Sequence, residues 1–91
     1  MASERILVVD DEEDILEIVR FNLSRDGYRV TCVTSGEEAL RVAKSSPPDL
    51  MVLDLLLPGM NGLEVCKTLK KDKNTEHIPI IFLTVLGLIL Q

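Results

Sequence analysis

The sequence contains few of the residues that bind soft metal ions. It has two cysteines, Cys32 and Cys66, which lack CxxC spacing, and one histidine, His77. Thiolate and imidazole ligands for zinc are therefore not in place. We expect both cysteines to be reduced and buried as small apolar side chains. We expect His77, in the loop before Pro79, to be solvated.

Positive charge is scarce as well. The 91 residues include 10 Lys and Arg against 15 Asp and Glu, which gives a formal net charge of -5. Nucleic acids and anionic membranes attract clustered Lys and Arg side chains. The composition therefore argues against direct binding of this chain to nucleic acid or to a membrane.

Long hydrophobic runs are also missing. The N-terminus has no apolar segment of the kind that secretory signals carry, so export is not expected. Residues 78–90 are apolar but are interrupted by Pro79, Thr84 and Gly87, and they fall short of the ~20 residues that a membrane span requires. We therefore expect a cytoplasmic chain.

Short apolar segments alternate with segments of helical periodicity along the whole chain, without a linker. This alternation predicts one α/β domain over residues 1–91, with an atypical apolar tail at residues 85–91. A Ser35–Glu38 capping box marks the start of the second predicted helix. Strands are predicted at residues 5–9, 28–33, 50–53 and 80–83, and helices at 12–26, 36–45 and 62–72, the last with Leu63, Cys66 and Leu69 facing inward.

The handedness of strand-helix-strand crossovers fixes the layout of these elements. Such crossovers are right-handed in nearly all proteins, so the first helix lies on one face of the sheet and the next two lie on the other. The predicted fold is a doubly wound parallel sheet with strand order 2-1-3-4. The direction of winding reverses between the first and third strands, and open α/β sheets bind ligands at such a switch point.

Three aspartates follow the two strands at this switch point. Asp10 and Asp11 come directly after the first strand, and Asp54 comes directly after the third. Carboxylates brought together repel one another and raise one another's pKa, so a stable arrangement needs a cation, a proton or a positive side chain. Mg²⁺ prefers oxygen ligands, which favours a magnesium site. Thr84 ends the neighbouring strand at the same edge of the sheet, so its hydroxyl could reach an oxyanion bound beside Asp54.

Three motifs together resemble the receiver domain of bacterial two-component response regulators. They are ILVVDDE at residues 6–12, DLMVLD at 49–54 with PGMNG at 58–62, and IPIIFLT at 78–84. The resemblance runs over nearly the whole chain and implies a flavodoxin-like, CheY-like fold.

The resemblance also implies a role for each candidate residue. Asp54 corresponds to the phosphoacceptor, which takes a phosphoryl group from a histidine kinase or from a small acyl phosphate. Asp10 and Asp11 correspond to the acidic pocket for Mg²⁺, with the Leu56 carbonyl as a further ligand. Thr84 corresponds to the switch hydroxyl that moves toward the phosphoryl oxygens.

The sequence departs from this family after Thr84. A complete receiver continues with a helix, a strand ending in a Lys that contacts the phosphoryl group, and a last helix. That helix-strand-helix portion is absent from this sequence, and residues 85–88 resemble only the close of the fourth helix. The departure implies that the phosphoacceptor function is retained but weakened, because the Lys that contacts the phosphoryl group is missing.

Two other classes of function remain as alternatives. A phosphohydrolase with an aspartyl nucleophile requires Asp-x-Asp after its first strand, whereas this chain has Asp10, Asp11 and Glu12. A truncated interaction or oligomerisation module that is not phosphorylated would keep the fold but ignore Mg²⁺ and phosphoryl donors. Nucleotide binding is less favoured, because no glycine-rich loop follows the first strand.

The fourth predicted strand carries apolar residues on both faces, which is typical of an interior parallel strand. The seven residues after Thr84 are too few for a crossover to a parallel partner, so we expect its outer edge to be unpaired. We also expect the first helix to leave the sheet bare over the third and fourth strands. The sequence therefore predicts self-association through strand four, the bare sheet face or the apolar tail.

Overall fold

The computed structural model describes residues 3–84 and the backbone of residues 87–90, and it contains five strands and three helices there. In chain order the elements are β1 (Arg5–Val9), α1 (Glu13–Arg25), β2 (Arg29–Val33), α2 (Gly36–Ser45), β3 (Leu50–Asp54), α3 (Gly62–Lys70), β4 (Ile80–Thr84) and β5 (Gly87–Leu90).

The strands form one sheet in the order β2-β1-β3-β4-β5. The first four strands are parallel, which confirms the predicted order 2-1-3-4. β1 and β3 pair in register, with Val9 opposite Leu53. Strand β1 is an interior strand, and its four apolar residues, 6–9, are at most 3% exposed.

The helices lie on opposite faces of the sheet, as predicted. Leu16 of α1 packs with Ile6 and Val8 on one face. On the other face α2 and α3 contribute Ala39, Ala43, Val65 and Leu69 to the larger core cluster.

The two faces of β3 and β4 are unequally covered. Met51, Leu53, Ile80 and Phe82, which face α2 and α3, are buried. Their neighbours in sequence, which face the α1 side, are only half-buried: Leu50, Val52, Ile81 and Leu83. The predicted difference between the faces is present, although the α1 side is half-buried rather than bare.

The buried face of α3 differs from the prediction. Leu63 is 50% exposed, whereas Val65 and Leu69 are fully buried. The helix begins with Gly62 packed against the end of β3, and this contact selects the stripe of Gly62, Val65 and Leu69. The helix also ends at Lys70, before the predicted Asp72.

The predicted capping box at α2 is only half formed. The Ser35 hydroxyl accepts the N–H of Glu38 at 3.1 Å, but the Glu38 carboxylate accepts the N–H of Thr34 at 3.5 Å instead of that of Ser35. A complete capping box is found at α3 instead. There the Asn61 side chain accepts the Glu64 N–H, and the Glu64 carboxylate accepts the Asn61 N–H, both at 3.0 Å.

The prediction that the outer edge of β4 is unpaired is wrong. β5 pairs with β4 in antiparallel orientation, with Ile89 opposite Phe82 and Gly87 opposite Thr84. The sequence argument considered a parallel partner, which needs a long crossover, whereas an antiparallel partner needs only a tight turn. Gly87 and Leu88 are therefore strand residues rather than the close of a helix. Residues 85 and 86 lie outside the described residues.

The remaining sequence expectations concern the thiols, His77 and membrane spans. Cys32 and Cys66 are free thiols, and both are half-buried against the core clusters rather than fully buried. His77 is exposed, as predicted. Within residues 3–84 and 87–90, no helix is long and apolar enough to cross a membrane.

Two leucines of α3 provide a matched test of its packing. We expect Leu69→Ala to lower the free energy of unfolding by about 2 to 5 kcal/mol, because it opens a cavity in the core. Leu63→Ala is the control, and we expect it to cost less than about 1 kcal/mol, because half of that side chain is already in water. Urea unfolding measures both, and equal losses would contradict the observed face of α3.

Candidate functional site

The pairing of β1 with β3 places two aspartates side by side at one end of the sheet. Val9 and Leu53 are opposite each other, so the next residues, Asp10 and Asp54, lie side by side at the carboxyl ends of β1 and β3. Asp10 is buried, Asp54 is half-buried and Asp11 is exposed. One carboxylate oxygen from each of the three lies within 4.8 Å of the other two. The predicted convergence of the three aspartates is therefore observed.

Local hydrogen bonds fix two of these carboxylates. One oxygen of Asp10 accepts the backbone N–H of Glu12 at 2.8 Å. One oxygen of Asp54 accepts the backbone N–H of Leu56 at 3.0 Å. Each strand thus ends in a turn in which an aspartate side chain bonds to the backbone two residues on, a common role for this residue type. The turns orient both carboxylates at the end of the sheet.

Glycine at position 62 allows the start of α3 to approach the backbone of Asp54 closely, a contribution that sequence reasoning missed. A Cβ atom added to Gly62 would lie 2.4 Å from the carbonyl oxygen of Asp54. The Gly62 N–H donates to the carbonyl of Leu55 at 3.2 Å, which closes the loop before α3. The signal in the sequence was a glycine at the first position of the helix that follows the aspartate.

The other predicted site residues line the same cleft as the aspartates. Thr84 and Leu56 border an open cleft of about 570 Å³ together with Asp10, Asp11 and Asp54. The Leu56 side chain is 74% exposed. The cleft is also lined by four apolar residues, Ile15, Ile18, Val19 and Leu83. All five predicted site residues are therefore brought together.

The electrostatics of the cleft disfavour an unaccompanied charge on Asp10. Burial raises the pKa of Asp10, and the charges of Asp54, Asp11 and Glu12 raise it further, while the hydrogen bond from the Glu12 N–H opposes them. In the part of the chain that the structure describes, no Lys or Arg lines the cleft.

The donor set fits a hard divalent cation. All three side chains offer carboxylate oxygens, which Mg²⁺ prefers, and the set contains no thiolate or imidazole. A bound cation would also relieve the repulsion among the carboxylates.

Comparison with known proteins places the chain in a family. The sequence pattern of the response regulator receiver domain matches residues 6–88. The chain belongs to the response regulator receiver family. Receiver domains are the phosphoacceptor modules of two-component signal transduction, they bind Mg²⁺ at an acidic pocket, and they receive phosphoryl groups from histidine kinases.

Two characterised response regulators illustrate the sequence similarity. The chain is 49% identical over 82 residues to the alkaline phosphatase synthesis transcriptional regulatory protein PhoP of Bacillus subtilis. The aligned region is 90% of this chain and 33% of that protein. It is 41% identical over 83 residues to the phosphate regulon transcriptional regulatory protein PhoB of Rhizobium meliloti, which covers 91% of this chain and 37% of that protein. The chain thus spans about a third of the length of these relatives.

Solved receiver structures share the fold. The N-terminal domain of a response regulator receiver protein from Methanoculleus marisnigri superimposes with a TM-score of 0.86 at 38% identity, over 89% of this chain and 66% of that one. TrrA from Thermotoga maritima, in complex with Mg²⁺ and BeF, superimposes with a TM-score of 0.83 at 43% identity, over 89% of this chain and 69% of that one.

Removing the charge of Asp10 provides a test of the electrostatic strain in the cleft. Asp10→Asn keeps an oxygen that accepts the Glu12 N–H, but it removes a buried carboxylate whose pKa is raised above its ordinary value of 3.8. The folded chain holds this proton more tightly than the unfolded chain, so the free energy of unfolding falls as pH rises through the raised pKa. We expect Asp10→Asn to raise the thermal midpoint at neutral pH without Mg²⁺.

The gain in thermal midpoint should shrink as the pH falls toward 3.8. The Asp10 carboxyl of the folded wild type is then protonated, and so it is uncharged like the Asn side chain of the variant. Circular dichroism melts in EDTA across this pH range measure the effect. Asp26→Asn, at the exposed end of α1, is the control for a change of charge alone. An Asp10→Asn variant less stable than wild type at neutral pH would contradict the inference that the charge of Asp10 destabilises the folded chain.

Proposed function

We propose that Asp54 accepts a phosphoryl group from the phosphohistidine of a histidine kinase or from a small acyl phosphate. The observation that carries this proposal is the position of Asp54. It ends the central strand β3, its carboxylate is oriented by the Leu56 N–H, and it shares an open cleft with Asp10 and Asp11.

The proposed step is an in-line displacement. An oxygen of the Asp54 carboxylate forms a bond to phosphorus, and the bond from phosphorus to the histidine nitrogen breaks with its electron pair returning to the imidazole. The product is an acyl phosphate on Asp54, which water later hydrolyses to restore the carboxylate. An anionic nucleophile approaching anionic oxygens requires charge neutralisation and precise positioning.

Asp10, Asp11, Asp54 and the Leu56 carbonyl are the proposed ligands of Mg²⁺. When bound, Mg²⁺ supplies neutralisation of the charge on the carboxylates and on the phosphoryl oxygens. The residues of the chain position the reaction: Asp10 and Asp54 are held by their backbone hydrogen bonds, and Gly62 allows α3 to abut Asp54. Thr84, at the same cleft, is the proposed switch hydroxyl that contacts the phosphoryl oxygens.

The proposed role is regulatory, with catalysis limited to self-phosphorylation and to loss of its own phosphoryl group. Phosphorylation adds negative charge and acceptor oxygens at the cleft, which biases the conformation of the strand and loop ends around it. We place the chain in the cytoplasm, with a histidine kinase as its partner. We propose no direct contact with nucleic acid or membrane, in keeping with the net charge of -5.

Labelling of Asp54 tests the proposal. After incubation with acetyl phosphate and Mg²⁺, we expect one phosphoryl group on wild type and none on Asp54→Asn, because the amide is not a nucleophile. Asp11→Ala should reduce the labelling, and Asp26→Asn, an equal change of charge at the far end of α1, should leave it unchanged. Intact-mass spectrometry with peptide mapping measures all four proteins.

Label that persists on Asp54→Asn would contradict the assignment. Sustained turnover of phosphate esters would favour the phosphohydrolase alternative. A folded wild type that takes no label from any phosphoryl donor would favour the interaction module.

Stabilisation by Mg²⁺ tests the metal site independently of phosphorylation. A ligand that binds only the folded chain stabilises it, by about 1.4 kcal/mol at ten times its Kd. We therefore expect the thermal midpoint to rise with MgCl₂ relative to NaCl at matched ionic strength. Asp10→Asn should reduce this response. Equal midpoints of the wild type in the two salts would count against a magnesium site.

A further inference from the structure

We propose that β5 pairs, through its outer edge, with β5 of a second copy of this chain. Within residues 3–84 and 87–90 the sheet has two edge strands, β2 and β5. The backbone groups on the outer side of an edge strand form a template for another strand. A second copy offers the same edge, and antiparallel pairing about a two-fold axis joins the two five-stranded sheets.

The two edges differ in their protection against such pairing. β2 carries the exposed polar residues Arg29 and Thr31, and a charge on an edge strand opposes the addition of another strand. β5 has the sequence Gly-Leu-Ile-Leu, without a charge or a proline. Low charge, high β-propensity and the absence of proline are the features of strands that add to one another. Of the two edges within residues 3–84 and 87–90, the edge at β5 is therefore the less protected against a partner.

The distribution of charge favours a copy of the same chain as that partner. Residues 78–91 contain no Asp, Glu, Lys, Arg or His, so the net charge of -5 belongs entirely to the preceding residues. The acidic cleft lies at the end of β4 where Thr84 is opposite Gly87. In an antiparallel pair, Gly87 of one copy is near Leu90 of the other, so the two clefts lie at opposite ends and their carboxylates stay apart.

The same geometry sets the size and the strength of the assembly. Each copy uses its unprotected edge once, and the β2 edges with Arg29 remain outside, so pairing stops at a dimer. Four residues of strand extend over roughly 13 Å, which makes a small contact. The dimer is therefore weak, and we expect it at tens to hundreds of micromolar protein.

Sedimentation equilibrium of matched variants tests the proposal. Ile89→Lys places a charge within the β5 edge, and Thr31→Lys places the same charge on β2. We expect wild type and Thr31→Lys to form dimers at about the same concentration, and Ile89→Lys to need at least about ten times more protein. Melts of the dilute proteins establish that each variant is folded. Dimers of Ile89→Lys at the wild-type concentration would overturn the proposal.

Amide hydrogen exchange of the wild-type chain provides a test without a variant. The N–H groups of a strand point alternately to its two sides, so in a monomer only those of β5 that face β4 are protected. We expect the outward N–H groups of Gly87–Leu90 to become protected as the protein concentration rises. A monomer at several hundred micromolar, or self-association with unchanged exchange in β5, would overturn the assignment.

Discussion

Parallel pairing of β1 with β3 is the contact on which the site depends. These strands are distant in sequence, because α1, β2 and α2 lie between them, yet Val9 and Leu53 are opposite each other in the sheet. The register brings Asp10 beside Asp54, and burial of the apolar strand residues stabilises an arrangement that the carboxylates oppose. The repulsion is therefore built into the topology, and a cation bound at the point where the strands end would relieve it.

Much of the fold follows from local patterns. The apolar strands, the alternation with helices and the handedness of crossovers are sufficient for the order 2-1-3-4, and the three aspartates follow from their positions after the strands. The face of α3 does not follow, because Leu63, Val65, Cys66 and Leu69 are all apolar and only the close contact of Gly62 with Asp54 selects among them. That contact is between α3 and the end of β3, and the hydrophobic periodicity of the α3 sequence cannot predict it.

The end of the chain shows a different limit of sequence reasoning. Residues 87–90 are apolar and short, a pattern compatible with either a helix fragment or a strand. These residues form a strand because the backbone groups at the outer edge of β4 would otherwise lack partners, and an antiparallel strand supplies them. The three aspartates were easier to predict because their carboxylates mark them, whereas Leu56 was predicted only from the family resemblance. The Asn61–Glu64 capping box has the same spacing as Ser35–Glu38 and could have been found in the sequence, whereas the close contact of Gly62 with Asp54 has no such pattern.

Assembly of the acidic cleft from two separated strand ends also has a consequence for the newly made chain. Asp10 is synthesised early, but it lies beside Asp54 only after β3 has been synthesised and has paired with β1. A nascent or misfolded chain therefore lacks the acidic cleft altogether, and under the proposed function it could not be phosphorylated. Phosphate on Asp54 would report two things at once, the arrival of a signal and the completion of the sheet.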